Sequence, residues 1–202
     1  MAQDNKRRKV LAILAGGLVL GVGAAVTLAA WNDSEFATGE FTAGSFNLEG
    51  STTSPATGYA EHETAAGAAD LAFTVALADN LAPEDVVYAP FWVRLDSSTT
   101  SPAELAAASI EATGDNAANL SYTVHAIDAA ATCDATTATT GTALAAGADL
   151  NTLTAGSTQA LAIGADAEAG APTQLCFAVT AGDDLAEGEP ATATWSFTAT
   201  SE

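Results

Sequence analysis

Ala193-Thr194-Trp195-Ser196-Phe197-Thr198-Ala199-Thr200 places an apolar side chain at every second position and a hydroxyl between each pair. A period of two is that of a strand with one face on a core and the other in water. Working back along the chain, Leu175, Phe177 and Val179 repeat the pattern. Leu120, Tyr122 and Val124 do so again, alternating with Ser121, Thr123 and His125, which are expected to face out. Two further strands are expected over Leu71 to Leu77 and Val86 to Leu95. The second contains Pro90, whose missing N–H predicts an edge strand or a bulge. Clusters of Thr, Ser, Gly, Asp and Pro separate these runs, and no apolar stripe of helical period persists beyond Ala30. The pattern is that of an all-β domain. One helix is expected inside it, over Pro102 to Ala108, where Ser101 stands as an N-cap and Pro102 at the first helical position. Ala129 to Ala148 is mostly Ala, Thr and Gly, and reads as a loose loop with a weak strand or turn.

The 202 residues carry 5 Lys and Arg against 25 Asp and Glu, a formal charge of −20. A chain so acidic is repelled by phosphate backbones and anionic lipid, which excludes nucleic-acid binding and basic-patch membrane docking. Four of the five bases, Lys6, Arg7, Arg8 and Lys9, stand directly before an uncharged apolar run from Val10 to Ala30. This is the layout of an export signal. The run is also about 20 residues long, enough to cross a bilayer, so a retained anchor stays open beside a cleaved signal peptide. Thr27 at −3 and Ala29 at −1 supply the small residues a signal peptidase needs, so that the mature chain would begin at Ala30. Residues 1–29 then form a helical signal peptide and 30–202 the secreted domain. Removing the former leaves Arg94 as the single base among the remaining acids, and screening or bridging cations would then favour association.

Cys133 and Cys176 both fall in the exported part. An even count in an oxidising compartment predicts one disulfide, with a pair of free thiols as the alternative. No catalytic residue, metal set or cofactor site is expected. Glu61-His62-Glu63-Thr64-Ala65-Ala66 begins like a zinc-protease helix, but Ala66 stands where the second histidine is required. His125 is expected on the surface. No Gly-x-Ser-x-Gly turn occurs, and neither cysteine has a histidine near it in sequence. Asp183, Asp184, Glu187 and Glu189 lack the spacing of a calcium loop and read as a solvated turn. Asn119-Leu120-Ser121 formally matches a glycosylation acceptor. Arg94, with Trp92 on its own strand face, is expected to pair with a carboxylate or to lie over the indole.

Three stretches carry a resemblance. Ala29-Ala30-Trp31-Asn32-Asp33-Ser34 followed by Phe41-Thr42-Ala43-Gly44-Ser45-Phe46-Asn47-Leu48 resembles the mature start of the camelysin/TasA family. Leu81-Ala82-Pro83-Glu84-Asp85 resembles that family's Leu-x-Pro-Gly-Asp turn, with Glu84 in place of glycine, and Phe91-Trp92-Val93-Arg94-Leu95 its next strand. The closing Ala193 to Thr200 is similar to its last strand. The composition is nearest to actinobacterial members. The resemblance implies a jelly-roll-like antiparallel β-sandwich, processed by a signal peptidase of the SipW type, secreted to the cell surface or biofilm matrix, and assembled with itself into fibres. In such fibres the N-terminal strand of one subunit completes the sheet of the next. Here that segment is Ala30 to Leu48, with Phe36, Phe41, Phe46 and Leu48 as anchors. Pairing of the same segment within its own domain remains open. Some camelysins are described as metallopeptidases, which makes a secreted protease the alternative from another class, and a monomeric surface-binding module a third. The membrane would be met only through an uncleaved signal segment.

Overall fold

The computed structural model describes residues 4–14, 35, 37–40, 43–74 and 80–202. It divides into two compact units, residues 1–42 and 43–202. In the first, residues 4–14 form a helix in which Val10, Leu11, Ile13 and Leu14 are exposed. Among the described residues no helix is long and apolar enough to cross a membrane. Thr27, Ala29 and Ala30, the expected cleavage positions, lie outside the described residues, as do Phe36 and Phe41.

The second unit is the expected all-β antiparallel sandwich. Among the described residues its strands run β1 (Leu48–Ser51), β2 (Val86–Leu95), β3 (Ala103–Thr113), β4 (Leu120–Ile127), β5 (Thr142–Gly147), β6 (Thr154–Ala155), β7 (Gln159–Leu161), β8 (Thr173–Ala181) and β9 (Thr192–Ser201). They form a six-stranded sheet ordered β1-β2-β8-β4-β5-β6 and a three-stranded sheet ordered β7-β3-β9. Among the described strands the chain crosses between sheets at β2 to β3, β3 to β4, β6 to β7, β7 to β8 and β8 to β9. The first and last of these crossings run together because β2 pairs with β8 and β3 with β9.

Alternation in the sequence becomes alternation in space. Leu120, Tyr122 and Val124 of β4 and Leu175, Phe177 and Val179 of β8 are buried. Phe177 meets Trp195 and Phe197 of β9 edge-on, with ring centroids 5.1 and 5.9 Å apart, and Trp195 meets Tyr122 at 5.5 Å. Edge-to-face contacts of this kind add about 0.5–1.5 kcal/mol each beyond area burial. They make this aromatic group the joint between the sheets. β8 is central, so its outward residues are covered too. Cys176 is fully buried and bonded to Cys133, which staples the 128–141 loop onto the outer face of the large sheet.

Four expectations are corrected. Pro102 to Ala108 is not helical; residues from Ala103 onward belong to β3, with Ala103 and Leu105 inward and fully buried. Pairing with both β7 and β9 outweighs alanine's helix preference, because propensity differences are a few tenths of a kcal/mol per residue. Pro90 does not mark an edge, since β2 lies between β1 and β8. Tyr88, on the same side of the backbone by period two, donates its N–H to Thr74 Oγ1 and accepts from Thr74 N, away from β8. β1 reaches only Trp92 to Leu95, so the missing N–H of Pro90 falls in the gap between β1 and Thr74 and no ladder bond is lost. Leu71 to Thr74 form no strand, and Val75 to Leu77 lie outside the described residues. His125 is half-buried, not exposed.

The 128–141 loop is tied down at several points. Trp92 Nε1 donates to Ala129 O at 2.9 Å and Gln174 Nε2 to Ala131 O at 3.0 Å. Ile127, Ala138 and the disulfide form a second small core beneath it. The weak strand expected nearby is β5, where Leu144 is fully buried.

Candidate functional site

The six-stranded sheet is twice as wide as the sheet that covers it. β9 has β3 on one side and, among the described residues, no strand on the other. An open cleft of about 960 Å³ runs beside it. Phe91, Phe177, Trp195 and Phe197 supply aromatic surface, and Leu71 and Phe73 line the far wall. The rim carries His62, Glu63, Asp70 and Glu111, all exposed. An edge strand offers unpaired N–H and C=O groups, so a cleft beside one with an aromatic floor and polar walls has the chemistry to accept an extended segment: backbone bonds along the edge, side chains into the cleft.

The chain enters the domain at the mouth of this cleft. Ser45 bridges Thr99, with Thr100 N donating to Ser45 O at 3.0 Å. Asn47 is held at three backbone contacts, its N–H donating to Thr99 Oγ1 and its carbonyl accepting from Thr99 Oγ1 and Asp96 N. Leu48 opens β1 opposite Leu95 of the same chain, so this anchor is paired in cis. Phe46 lines the cleft and is 41% exposed. On the outer side of β1, Gly50 exchanges two 2.9 Å backbone bonds with Ala60. A Cβ on Gly50 would fall 2.2 Å from the Phe91 ring, which explains why glycine stands there.

Arg94 secures the same strand. Its Nε lies 2.6 Å from Glu49 Oε1, and its guanidinium sits 3.7 Å from the centre of the Tyr59 ring. The carboxylate partner was expected; the aromatic one is Tyr59, because the Trp92 indole is engaged by the 128–141 loop. Burial raises the Tyr59 phenol above its usual pKa, with Arg94 opposing and Glu49 reinforcing the shift.

The remaining candidates are apart from the cleft floor or from one another. His62 Nδ1 is 3.0 Å from Gly67 O, and its ring is 6.3 Å from Phe91. His125 lies in β4 opposite Cys176, where burial lowers its pKa, and its Nδ1 meets no partner among the described residues. Among the described residues no group of three His, Cys, Asp or Glu side chains is placed to hold a metal ion. Asp183, Asp184, Glu187 and Glu189 are exposed on a turn. Asn116 fastens that turn, donating to Ala186 O and Glu189 O at 2.8 and 2.7 Å and accepting from Ala186 N. Asn119 donates to Asn116 Oδ1 at the start of β4.

The cleft itself was not foreseen. Its walls come from many separated segments, from Phe46 to Ala199, and none of them has a local signature of its role. No protein-family model matches the chain, and no curated protein matches it in sequence.

Proposed function

We propose that this is a secreted structural protein that polymerises into extracellular, cell-surface or biofilm-matrix fibres by strand donation. The N-terminal arm of one subunit enters the cleft of the next and pairs with β9. The observation that carries the reading is the edge of β9 that no strand among the described residues pairs with, beside a cleft with an aromatic floor whose mouth is also the exit point of the arm. A strand placed there would extend the three-stranded sheet and cover Phe197 and Trp195. The arm consists of residues 30–44, shorter than the Ala30 to Leu48 of the sequence reading, because Ser45 to Ser51 is bonded within its own domain. Phe36 and Phe41 are its anchors, and a SipW-type signal peptidase is the partner that frees it.

The test is electron microscopy, at raised salt, of protein recovered from the medium of an expressing culture, with its N-terminus sequenced. Beside it goes a chain lacking residues 34–44 behind an intact leader and cleavage sequence. Deleting as far as Leu48 would break β1 and confuse assembly with folding. Filaments from the full chain alone support the proposal. Monodisperse particles from both overturn it in favour of a monomeric binding module.

A further inference from the structure

The exposed charges around the cleft have one sign. Glu63, Asp70 and Glu111 stand on its rim, while Glu49, the remaining carboxylate that lines it, is held by Arg94. Arg94 is the only Lys or Arg beyond residue 9, so the domain has no further cation to set against them. The arm of a second copy carries Asp33, Glu35 and Glu40 and no base. Apolar contact therefore draws the arm in while Coulomb repulsion holds it out, and the two respond differently to salt. Apolar burial is little changed by moderate monovalent salt, whereas repulsion between exposed charges disappears once the screening length falls below their separation.

We infer that the carboxylate rim of the cleft is an electrostatic gate: it withholds the arm of a second copy at low ionic strength and admits it when cations screen Glu63, Asp70 and Glu111. This rests on the strand-donation reading and adds its control. The occupant is the arm of another copy: that arm ends at Ser45, which is bonded to Thr99 and Thr100 beside Phe46 on the mouth of the cleft, and it carries Phe36 and Phe41. In water, one like-charged pair roughly 10 Å apart lowers association about twofold. Neutralising three rim charges therefore raises low-salt association by about tenfold.

The experiment follows filament formation of the secreted chain by light scattering and microscopy in NaCl from about 0.01 to about 1 M, over which the screening length falls from about 30 to about 3 Å. It uses the wild type, the triple variant Glu63→Gln, Asp70→Asn, Glu111→Gln, and the chain lacking residues 34–44. All three rim positions are exposed, and thermal melting confirms that the variant is folded. The expected result is assembly of the wild type only towards high salt, assembly of the triple variant at low salt with association about tenfold stronger, and none from the arm-deleted chain. Filaments that require the arm but form alike at every salt concentration, or a triple variant with the wild-type salt profile, overturn the gate and leave strand donation standing. No filaments from any chain at any salt overturn both.

Discussion

Arg94 of β2 and Glu49 of β1 face each other in register, 2.6 Å apart, with the guanidinium stacked on Tyr59. The pair joins a four-residue edge strand to the body of the sheet and brings the 52–60 loop against it. Both side chains are mostly shielded, at 24% and 15% exposure, so the pair is worth more than a fully solvated one. A double-mutant cycle with Glu49→Gln and Arg94→Met, read by urea unfolding, is expected to give a coupling of about 1 kcal/mol. Tyr59→Leu should cost a further ~0.5–1 kcal/mol through the lost cation–π contact. Coupling within error of zero would mean that β1 is held by its backbone bonds alone.

Glu84 has φ of 70°, in the left-handed region that residues with a Cβ avoid. Its side chain is exposed, and its N–H donates to Ala181 O, so the turn enforces the conformation without needing a carboxylate. Ala167, with φ of 63° after Asp166 at 52°, is a second such position. Glu84→Gly and Ala167→Gly should each stabilise the domain by up to about 1 kcal/mol, the relief of strain being partly offset by the greater freedom of glycine in the unfolded chain. A loss of stability in either variant, measured as a lower denaturation midpoint, would show that the strain is absent.

Much of the fold could be read from alternation, because β4, β8 and β9 each set large residues against one core. β2 begins and ends where its apolar run does. β3 escaped because Ala103 to Ala108 offers little apolar contrast between its two faces; Leu105 is the only large apolar side chain there, and the pairing with β9 that fixes the strand comes from residues nearly a hundred positions away. The cleft is harder still to read, since it arises from a difference in sheet width and from where the 62–73 segment crosses it. Arg94 was legible as one half of an ion pair, but choosing Tyr59 over Trp92 required knowing that Ala129 takes the indole N–H.

The Cys133–Cys176 bond closes 43 positions and fixes a loop that has only Ile127, Ala138 and neighbouring small residues to bury. Without it, the alanine- and threonine-rich segment lacks the apolar surface to offset its own ordering. Replacing both cysteines by alanine should cost about 2–4 kcal/mol. The loss should be uneven: backbone amides of 128–141 should exchange at nearly open-chain rates, and Trp92 fluorescence should shift to the red as its indole becomes solvated, while the β4 and β8 amides stay protected. Uniform loss of protection would mean that the loop and sandwich unfold as one unit.

His125 provides a pH dependence whose sign can be worked out. Burial lowers its pKa in the folded domain, so between the ordinary value near 6.5 and the lower folded value the unfolded chain binds the proton more readily. Stability contributed by the neutral imidazole is complete above the unfolded pKa and declines as pH falls towards the folded one. Asp96 and Asp134 act in the same direction at lower pH. Ser98 chiefly holds the Asp96 carboxylate down, and the Thr136 and Thr137 amides do so for Asp134; their contribution is lost as each protonates in the folded state. His125→Gln removes only the first effect. Between about pH 7.5 and 5.5, a window that brackets the ordinary histidine pKa, the melting temperature of the wild type should fall more than that of the variant. Equal falls would place the proton on His125 as easily in the folded domain as in the open chain, and would require a partner for Nδ1.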